Sequence, residues 1–226
     1  MKLRGLLFDF DGLLVDTESP SRLGWEELYR EHGHELPLDE WATLVGTIGA
    51  PFDPFAHLEA LVGQPLDRDE LNARRRAREL ALIDLEDLRP GIEGYLDEAK
   101  KRGLRTAVVS SSSRDWIGPI LRRLDRLDHW DAIVAAEGDR ARAKPQPTLY
   151  LETLATLGLA ADEAVAFEDS PNGVRAAKGA DLFCVAVPNP VTETLALDDA
   201  DLVVDSLSDL PLEDLLARLD GRGARA

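Results

Sequence analysis

The chain has few of the residues that form disulfides or bind zinc, with one cysteine and four histidines among 226 residues. It also has only one methionine. A single cysteine, Cys184, can form no disulfide within the chain, and its place inside an apolar run indicates a small buried side chain. The histidines show no ligand clustering typical of a zinc site. Neither a disulfide framework nor histidine-bound zinc is therefore expected.

Long apolar stretches and excess positive charge are also missing. No apolar run approaches membrane-spanning length, and Asp9 interrupts the N-terminal run too early for a signal peptide. The formal net charge of -17 argues against binding to nucleic-acid phosphates or an anionic membrane. We expect a cytoplasmic protein, a monomer or weak homodimer, with no nucleic-acid or membrane partner.

The N-terminal apolar run ends at two acidic residues, Asp9 and Asp11, followed by Gly12. If the strand continues through them, alternation places both side chains on one face, and Gly12 then permits a sharp turn. Two carboxylates held so close repel unless a cation lies between them or one keeps its proton. This pair is therefore a candidate for chemistry.

Two further apolar runs end in polar side chains. The run at 106–109 stops at the serines 110–113, and the run at 164–167 stops at Glu168 and Asp169. Lys144, which precedes Pro145, is the only lysine between positions 102 and 177. Its isolation in an arginine-rich chain favours a role for a compact point charge.

Strand-like and helical patterns alternate after residue 90, which favours βαβ units and a parallel sheet. The predicted strands cover residues 106–109, 132–135, 164–167, 182–187 and 202–204. In such a sheet the ligand crevice forms at the carboxyl ends of the strands. We therefore expect Asp9, Ser110, Glu168 and Asp169 at one edge, with Lys144 projecting over it from a loop.

Residues 17–88 carry helical signatures and no convincing strand. For example, Asp53 and Pro54 predict the start of a helix that ends at Gly63. We expect an α/β protein with a Rossmann-like parallel sheet core and an inserted all-helical cap domain. The core would comprise residues 1–16 and 89–226, and the cap residues 17–88, with hinges near 15–17 and 88–91.

Four motifs occur in order: FDFDG at 8–12, Ser110 after a strand, Lys144 in KPQP, and FEDSPNG at 167–173. Over nearly the whole chain this order resembles the haloacid dehalogenase superfamily. The stretch DGLLVDTES at 11–19 resembles in particular its branch of phosphatases and β-phosphoglucomutase-like enzymes.

The resemblance implies a phosphomonoesterase that uses Mg²⁺ and cleaves a small phosphorylated metabolite, most naturally a sugar or polyol phosphate. Asp9 would attack phosphorus to give an aspartyl-phosphate. Asp11 would protonate the leaving alkoxide and later take a proton from water. Ser110 and Lys144 would hold phosphoryl oxygens, and Lys144 would also restrain the nucleophile.

By the same resemblance, Mg²⁺ would be bound by Asp9, the backbone carbonyl of Asp11 and Asp169, with Glu168 a direct or water-mediated ligand. A hard cation with oxygen ligands suits such an acidic group. The expected substrate-binding residues are Gly12, Ser111, Glu18, Ser21 and Thr47. Further candidates in the cap are Trp25, Ile48 and the arginines of 74–78.

Three other functions remain possible on the sequence. A mutase of this branch carries a histidine on the first cap helix and an arginine in the cap loop, where this chain has Ser21 and Gly49. A phosphonatase needs a cap lysine, and residues 17–88 contain none. A non-enzymatic regulatory protein of this fold would lose at least one main motif residue, and none is lost.

Overall fold

The computed structural model of the chain describes residues 2–45 and 52–223. Its strands are β1 (Gly5–Phe8), β2 (Arg105–Ser110), β3 (Ala132–Ala135), β4 (Ala164–Glu168), β5 (Phe183–Ala186) and β6 (Leu202–Val203). They form one parallel sheet in the order β3-β2-β1-β4-β5-β6. The five strands predicted after residue 90 are confirmed to within one residue at each end.

The prediction that the first strand extends through Asp11 is wrong. β1 ends at Phe8, and Asp9 N–H donates one last ladder bond to Phe167 O at 3.0 Å. The chain then turns, because Gly12 N–H donates back to Val15 O at 2.8 Å and Gly12 adopts φ of 77°. Asp9 and Asp11 are therefore placed by a tight turn rather than by strand alternation.

Among the described residues, four α-helices lie between β1 and β2: α1 (Glu18–Glu31), α2 (Leu38–Trp41), α3 (Pro54–Val62) and α4 (Arg68–Ile83). The remaining α-helices are α5 (Ile92–Arg102), α6 (Arg114–Arg123), α7 (Thr148–Leu157), α8 (Pro171–Gly179) and α9 (Leu212–Gly223). Within the described ranges, no helix combines the length and apolar character needed to cross a membrane.

Each face of the sheet is covered by a separate hydrophobic cluster. Leu6 and Phe8 of β1 point into the cluster shared with α5, α6 and α9, whereas Leu7 points into that shared with α7 and α8. Phe8 stacks on Phe167 of the neighbouring strand with ring centroids 4.7 Å apart. A strand buried on both faces is typical of parallel sheets, and it holds the carboxyl ends of β1 and β4 rigidly side by side.

Helices α1 to α4 have a small core of their own. Trp25, Tyr29, Trp41 and Leu58 are buried in it, together with Val191 from the loop after β5. Helix α3 begins and ends as predicted, since the Asp53 side chain accepts from two backbone N–H groups and Gly63 takes the left-handed C-cap. These helices therefore form a cap that packs against the sheet domain as well as on itself.

The two chain segments that lead into and out of the cap run side by side. Val15 forms an antiparallel bridge with Leu88, and Arg89 N–H donates to Leu14 O at 2.8 Å. Arg89 also donates through its guanidinium to backbone carbonyls of Gly12 and Pro188. Both connections thus meet next to the carboxyl end of β1.

Candidate active site

A cavity of about 340 Å³ lies between the cap and the carboxyl edge of the sheet. Its described lining residues are Asp9, Asp11, Thr17, Glu18, Ser21, Leu44, Arg76, Glu79, Ser110, Ser111, Ser112, Ser113, Trp116 and Lys144. Both the sheet domain and the cap contribute to it. The cavity therefore brings together residues that are more than one hundred positions apart in sequence.

Lys144 lies at the base of this cavity, between two carboxylates. Its ammonium is 2.5 Å from Asp9 Oδ1 and 2.7 Å from Glu168 Oε1, and all three side chains are buried. A buried ammonium is stable only if it is paired, and here it bridges the ends of β1 and β4. The sequence-based placement of Lys144 over the same sheet edge as Asp9 and Glu168 agrees with this geometry.

Glu168 is fully buried, and only one of its two carboxylate oxygens has hydrogen-bond partners. Its Oε1 accepts from Tyr150 Oη at 2.5 Å in addition to the Lys144 ammonium, whereas its Oε2 has no hydrogen-bond partner. Gly173, on the first turn of α8, permits this packing because a Cβ there would overlap the Glu168 carboxylate. An unpartnered buried carboxylate oxygen is costly and points to a further ligand at this position.

Asp169, the next residue, is held by a different loop. Asn189 Nδ2 donates to Asp169 Oδ2 at 2.7 Å and more weakly to Gly12 O at 3.3 Å. Gly12 is required here because a Cβ would collide with both Asp169 and Asn189. Gly12 therefore packs behind the acidic group, and it is not among the described residues that line the cavity.

Oxygen atoms of Asp9, Glu168 and Asp169 all lie within 4.8 Å of one another. Three buried carboxyl groups face one ammonium, so that ammonium cannot compensate the charge of all three when they are ionised. These residues fit a hard divalent cation, since they offer only oxygen donors and one of those oxygens has no partner. Asp11 was expected to contribute its backbone carbonyl, and this remains a prediction.

Burial shifts the proton affinities of the same group. It raises the pKa of Asp9 to about 7, against the attraction of Lys144, and it raises the pKa of Asp169 well above its usual value. Burial alone would lower the pKa of Lys144, but the charges of Asp9 and Glu168 outweigh it and hold that pKa above its ordinary value. Lys144 is therefore a permanent cation in this site.

The Asp11 carboxylate lies outside this acidic group and accepts hydrogen bonds at both oxygens. Thr17 Oγ1 and Trp116 Nε1 donate to Oδ1 at 2.9 and 2.7 Å. Ser110 and Ser112 donate from their hydroxyls to Oδ2 at 3.2 and 2.6 Å. Asp11 is thus presented to the cavity as a separately positioned group, which suits a proton-transfer role.

The serines at the carboxyl end of β2 form a polar surface in the same cavity as Asp9. The Ser110 hydroxyl also accepts from Ser112 N–H at 3.0 Å, and the Ser111 hydroxyl accepts from Lys144 N–H at 3.2 Å. Ser110 and Ser111 both line the cavity, as expected for phosphate-contacting groups. Their direct contact with phosphate remains a prediction.

On the cap side, Glu18 and Ser21 of α1 line the cavity as expected, and Thr47 and Ile48 lie outside the described residues. Trp25 is in the cap core, edge-on to Phe55, and does not line the cavity in the part of the chain described. The four arginines of residues 74–78 are each paired with a carboxylate: Arg74 with Glu31, Arg75 and Arg76 with Glu79, and Arg78 with Glu27. Of these, only Arg76 is among the described lining residues.

Several contributors were not predicted from the sequence: Thr17, Ser112, Trp116, Tyr150 and Asn189. Asn189 follows an apolar strand, so the rule that selected Glu168 and Asp169 could have found it. Trp116 and Tyr150 lie on helices at spacings that resemble ordinary core positions. Their roles depend on tertiary contacts, which no local signal reveals.

A family model of haloacid dehalogenase-like hydrolases matches residues 3–181. The chain belongs to this family. YhcW of Bacillus subtilis is 40% identical over 220 residues, covering 97% of this chain and 99% of that protein. Hexitol phosphatase B of Escherichia coli K12 is 32% identical, covering 93% and 95%.

A solved structure agrees with this chain in fold. The crystal structure of CbbY from Rhodobacter sphaeroides in complex with phosphate has a TM-score of 0.68 and 31% identity, covering 92% of this chain and 96% of that chain. The family and the α/β fold with an inserted cap are therefore confirmed. The precise cap boundaries at 16/17 and 88/89 remain predictions.

Proposed function

We propose that the chain is a Mg²⁺-dependent phosphomonoesterase that cleaves small sugar or polyol monophosphates through an aspartyl-phosphate on Asp9. The observation that carries the proposal is the buried contact of Asp9 with Lys144, at the base of a cavity that also contains Asp11. Nucleophile, charge-stabilising group and proton-transfer group are thereby present in one cleft. The phosphatase relative named above supports the same class.

In the first step, an Asp9 carboxylate oxygen attacks phosphorus and the bond from phosphorus to the leaving oxygen breaks. Lys144 restrains the Asp9 carboxylate through its bond to Oδ1 and carries positive charge toward the phosphoryl group. The hydroxyls of Ser110 and Ser111 line the same part of the cavity and would bind phosphoryl oxygens. Such preorganised charge and donors supply most of the catalysis of phosphoryl transfer.

Asp11 supplies and removes the proton. In the first step it would protonate the leaving alkoxide, and in the second it would take a proton from the water that attacks the aspartyl-phosphate. Its separation from the acidic group by its own set of four donors suits this role. Mutation of such a group typically costs about 10²–10⁴-fold in rate.

The metal would be held by Asp9, Glu168 and Asp169. When bound, Mg²⁺ supplies positive charge that neutralises the carboxylates and the phosphoryl oxygens. Asn189 and Tyr150 orient two of these carboxylates through hydrogen bonds. Such supporting contacts commonly decide metal affinity as much as the ligands do.

The cap side of the cavity favours an uncharged, hydroxyl-bearing leaving group. It presents the carboxyl groups of Glu18 and Glu79 together with the Ser21 hydroxyl, which can exchange hydrogen bonds with the hydroxyls of a sugar or polyol. Among the described lining residues the cap contributes one cation, Arg76, and its guanidinium is paired with Glu79 at 2.9 Å. This pairing favours a monophosphate substrate over the sugar bisphosphate of a mutase.

Cap movement would admit substrate and exclude bulk water. The paired segments at Val15 and Leu88 are the proposed hinges, because both connections between cap and core pass there. Lid closure of this kind often controls turnover.

The proposal is tested by measuring phosphate release from a panel that contains sorbitol 6-phosphate, hexose monophosphates, a sugar bisphosphate and nucleoside monophosphates. We expect release with Mg²⁺, none in EDTA, and higher kcat/KM for the monophosphates of sugars and polyols than for the bisphosphate. Absence of release from every compound would refute the phosphatase function. Faster formation of glucose 6-phosphate than of phosphate, from β-glucose 1-phosphate with a bisphosphate primer, would favour the mutase.

A further inference from the structure

Trp116 joins the cap to the proton-transfer group of the core. It lies in the first turn of α6, and its indole N–H donates to Asp11 Oδ1 at 2.7 Å. The Arg76 guanidinium, from helix α4 of the cap, lies over the same indole with its central carbon 4.2 Å from the ring centroid. One side chain thus contacts both an arginine of the cap and a carboxylate of the core.

Arg76 is itself held in place within the cap. Its guanidinium is 2.9 Å from Glu79 Oε2, and buried Glu79 also pairs with Arg75 at 2.9 Å. A cation over an indole contributes about 0.5–1 kcal/mol at an exposed site and more when desolvated. Because α4 and α6 belong to different parts of the fold, this contact exists only when the cap lies against the sheet domain.

The hydrogen bond from the Trp116 indole to Asp11 differs in kind from the three hydrogen bonds that hydroxyl groups donate to Asp11. Indole N–H can only donate, whereas the hydroxyls of Thr17, Ser110 and Ser112 can donate or accept. Asp11 Oδ1 is therefore committed as an acceptor toward Trp116. The other oxygen, Oδ2, faces the hydroxyls of Ser110 and Ser112, which line the cavity.

We propose that Trp116 is a positioning residue through which the cap orients Asp11 for protonation of the leaving group. The proposal rests on the phosphatase function argued above. In the step concerned, the Asp9 oxygen forms a bond to phosphorus, the bond from phosphorus to the ester oxygen breaks, and Asp11 acts as the general acid that passes a proton to that oxygen. Trp116 holds Oδ1, and Arg76 holds the indole.

The matched substrates phenyl phosphate and p-nitrophenyl phosphate test this role. The nitrophenolate leaving group departs with little help from a general acid. The more basic phenolate depends more strongly on protonation as it leaves. Trp116→Phe keeps a ring beneath Arg76 but removes the N–H. We expect kcat/KM for phenyl phosphate to fall about tenfold or more, as for other losses of orientation, with a much smaller change for p-nitrophenyl phosphate. An equal loss on both substrates would overturn the proposal.

Arg76→Met tests whether the cap acts through the indole. We expect this variant, too, to lose more kcat/KM on phenyl phosphate than on p-nitrophenyl phosphate. In the Trp116→Phe background, Arg76→Met should cause no further loss of kcat/KM. Arg74→Met is the matched control, because Arg74 lies on the same helix and pairs only with exposed Glu31 in the described contacts. Additive losses in the double variant would mean that Arg76 does not act through Trp116.

The indole N–H signal of Trp116 in ¹⁵N-correlated NMR spectra gives a readout that does not require activity. The chain has four tryptophans, so the signal is assigned by its loss in Trp116→Phe. We expect it to shift in Asp11→Asn and in Arg76→Met, and to stay in place in Arg74→Met. Inactive wild-type protein would refute the phosphatase function. If the enzyme is active but the Trp116 indole signal does not shift in Arg76→Met, only the positioning role is refuted.

Discussion

The ammonium of Lys144 donates to Asp9 Oδ1 across 135 positions of sequence, and both side chains are buried. The same ammonium also contacts Glu168 at 2.7 Å. One cation therefore compensates the nucleophile and a metal-ligand candidate together. Its removal should affect both catalysis and stability.

For Lys144→Met we expect kcat/KM to fall by about 10²–10³-fold, because the charge that faces the transferred phosphoryl group is lost. In EDTA the free energy of unfolding should also fall, by about 3–5 kcal/mol, since Asp9 and Glu168 lose their buried partner. Added Mg²⁺ should restore part of that stability. Steady-state kinetics and urea denaturation measure the two effects.

Lys101→Met is the control, because Lys101 is exposed and pairs with Glu98 on the surface of α5. This variant should leave kcat/KM and the free energy of unfolding nearly unchanged. A Lys144→Met enzyme with the kcat/KM of the wild type would contradict the assigned role.

Asp169→Asn should weaken Mg²⁺ activation while preserving the shape of the site. The substitution removes one negative charge from the acidic group of Asp9, Glu168 and Asp169. We expect the Mg²⁺ concentration for half-maximal activity to rise at least about tenfold.

Asp67→Asn is a matched control, because Asp67 is the exposed N-cap of α4 and asparagine caps helices equally well. Its Mg²⁺ dependence should equal that of the wild type. If both variants lose Mg²⁺ affinity alike, the metal assignment is wrong.

Glu18 should make the metal-free protein less stable as the pH rises. Burial, reinforced by the charges of Asp11 and Asp9, raises the pKa of Glu18 from 4.5 to about 8. A carboxyl with a higher pKa in the folded chain binds its proton more tightly there, so stability falls as the pH increases from about 4.5 to about 8. Since Glu18 lines an open cavity, we expect its share of this loss to be about 1–2 kcal/mol.

Glu18→Gln should remove that part of the pH dependence, measured by urea denaturation in EDTA. Glu26→Gln is the control on the same helix, where only an ion pair with Arg22 is lost among the described contacts. A Glu18→Gln stability profile parallel to that of the wild type would contradict the raised pKa of Glu18.

The sequence predicted the sheet and the acidic group because both follow from local patterns. Apolar runs that end in Asp9, Ser110 or Glu168 identify strands and the edge at which they terminate. The turn after Phe8 was missed, because the apolar residues Leu13 to Val15 pack back onto the core and draw Asp11 away from the strand.

The partners of Asp11 were not predictable in the same way. Trp116 reaches Asp11 across 105 positions, and Arg76 reaches Trp116 from another part of the fold. Neither contact leaves a periodic or motif signal. The arginine-rich stretch of α4 likewise gives no hint in sequence that Arg76 alone of the described four lines the cavity.

The central claim is covalent catalysis by Asp9, and chemical trapping tests it most directly. Enzyme turning over p-nitrophenyl phosphate with Mg²⁺ is quenched in acid, treated with borohydride and digested for peptide mass spectrometry. Borohydride reduces an acyl phosphate to an alcohol, so we expect homoserine at position 9 in the wild type and no such product in Asp9→Asn, which should also be inactive. Reduction at another carboxylate, or undiminished turnover by Asp9→Asn, would contradict the account.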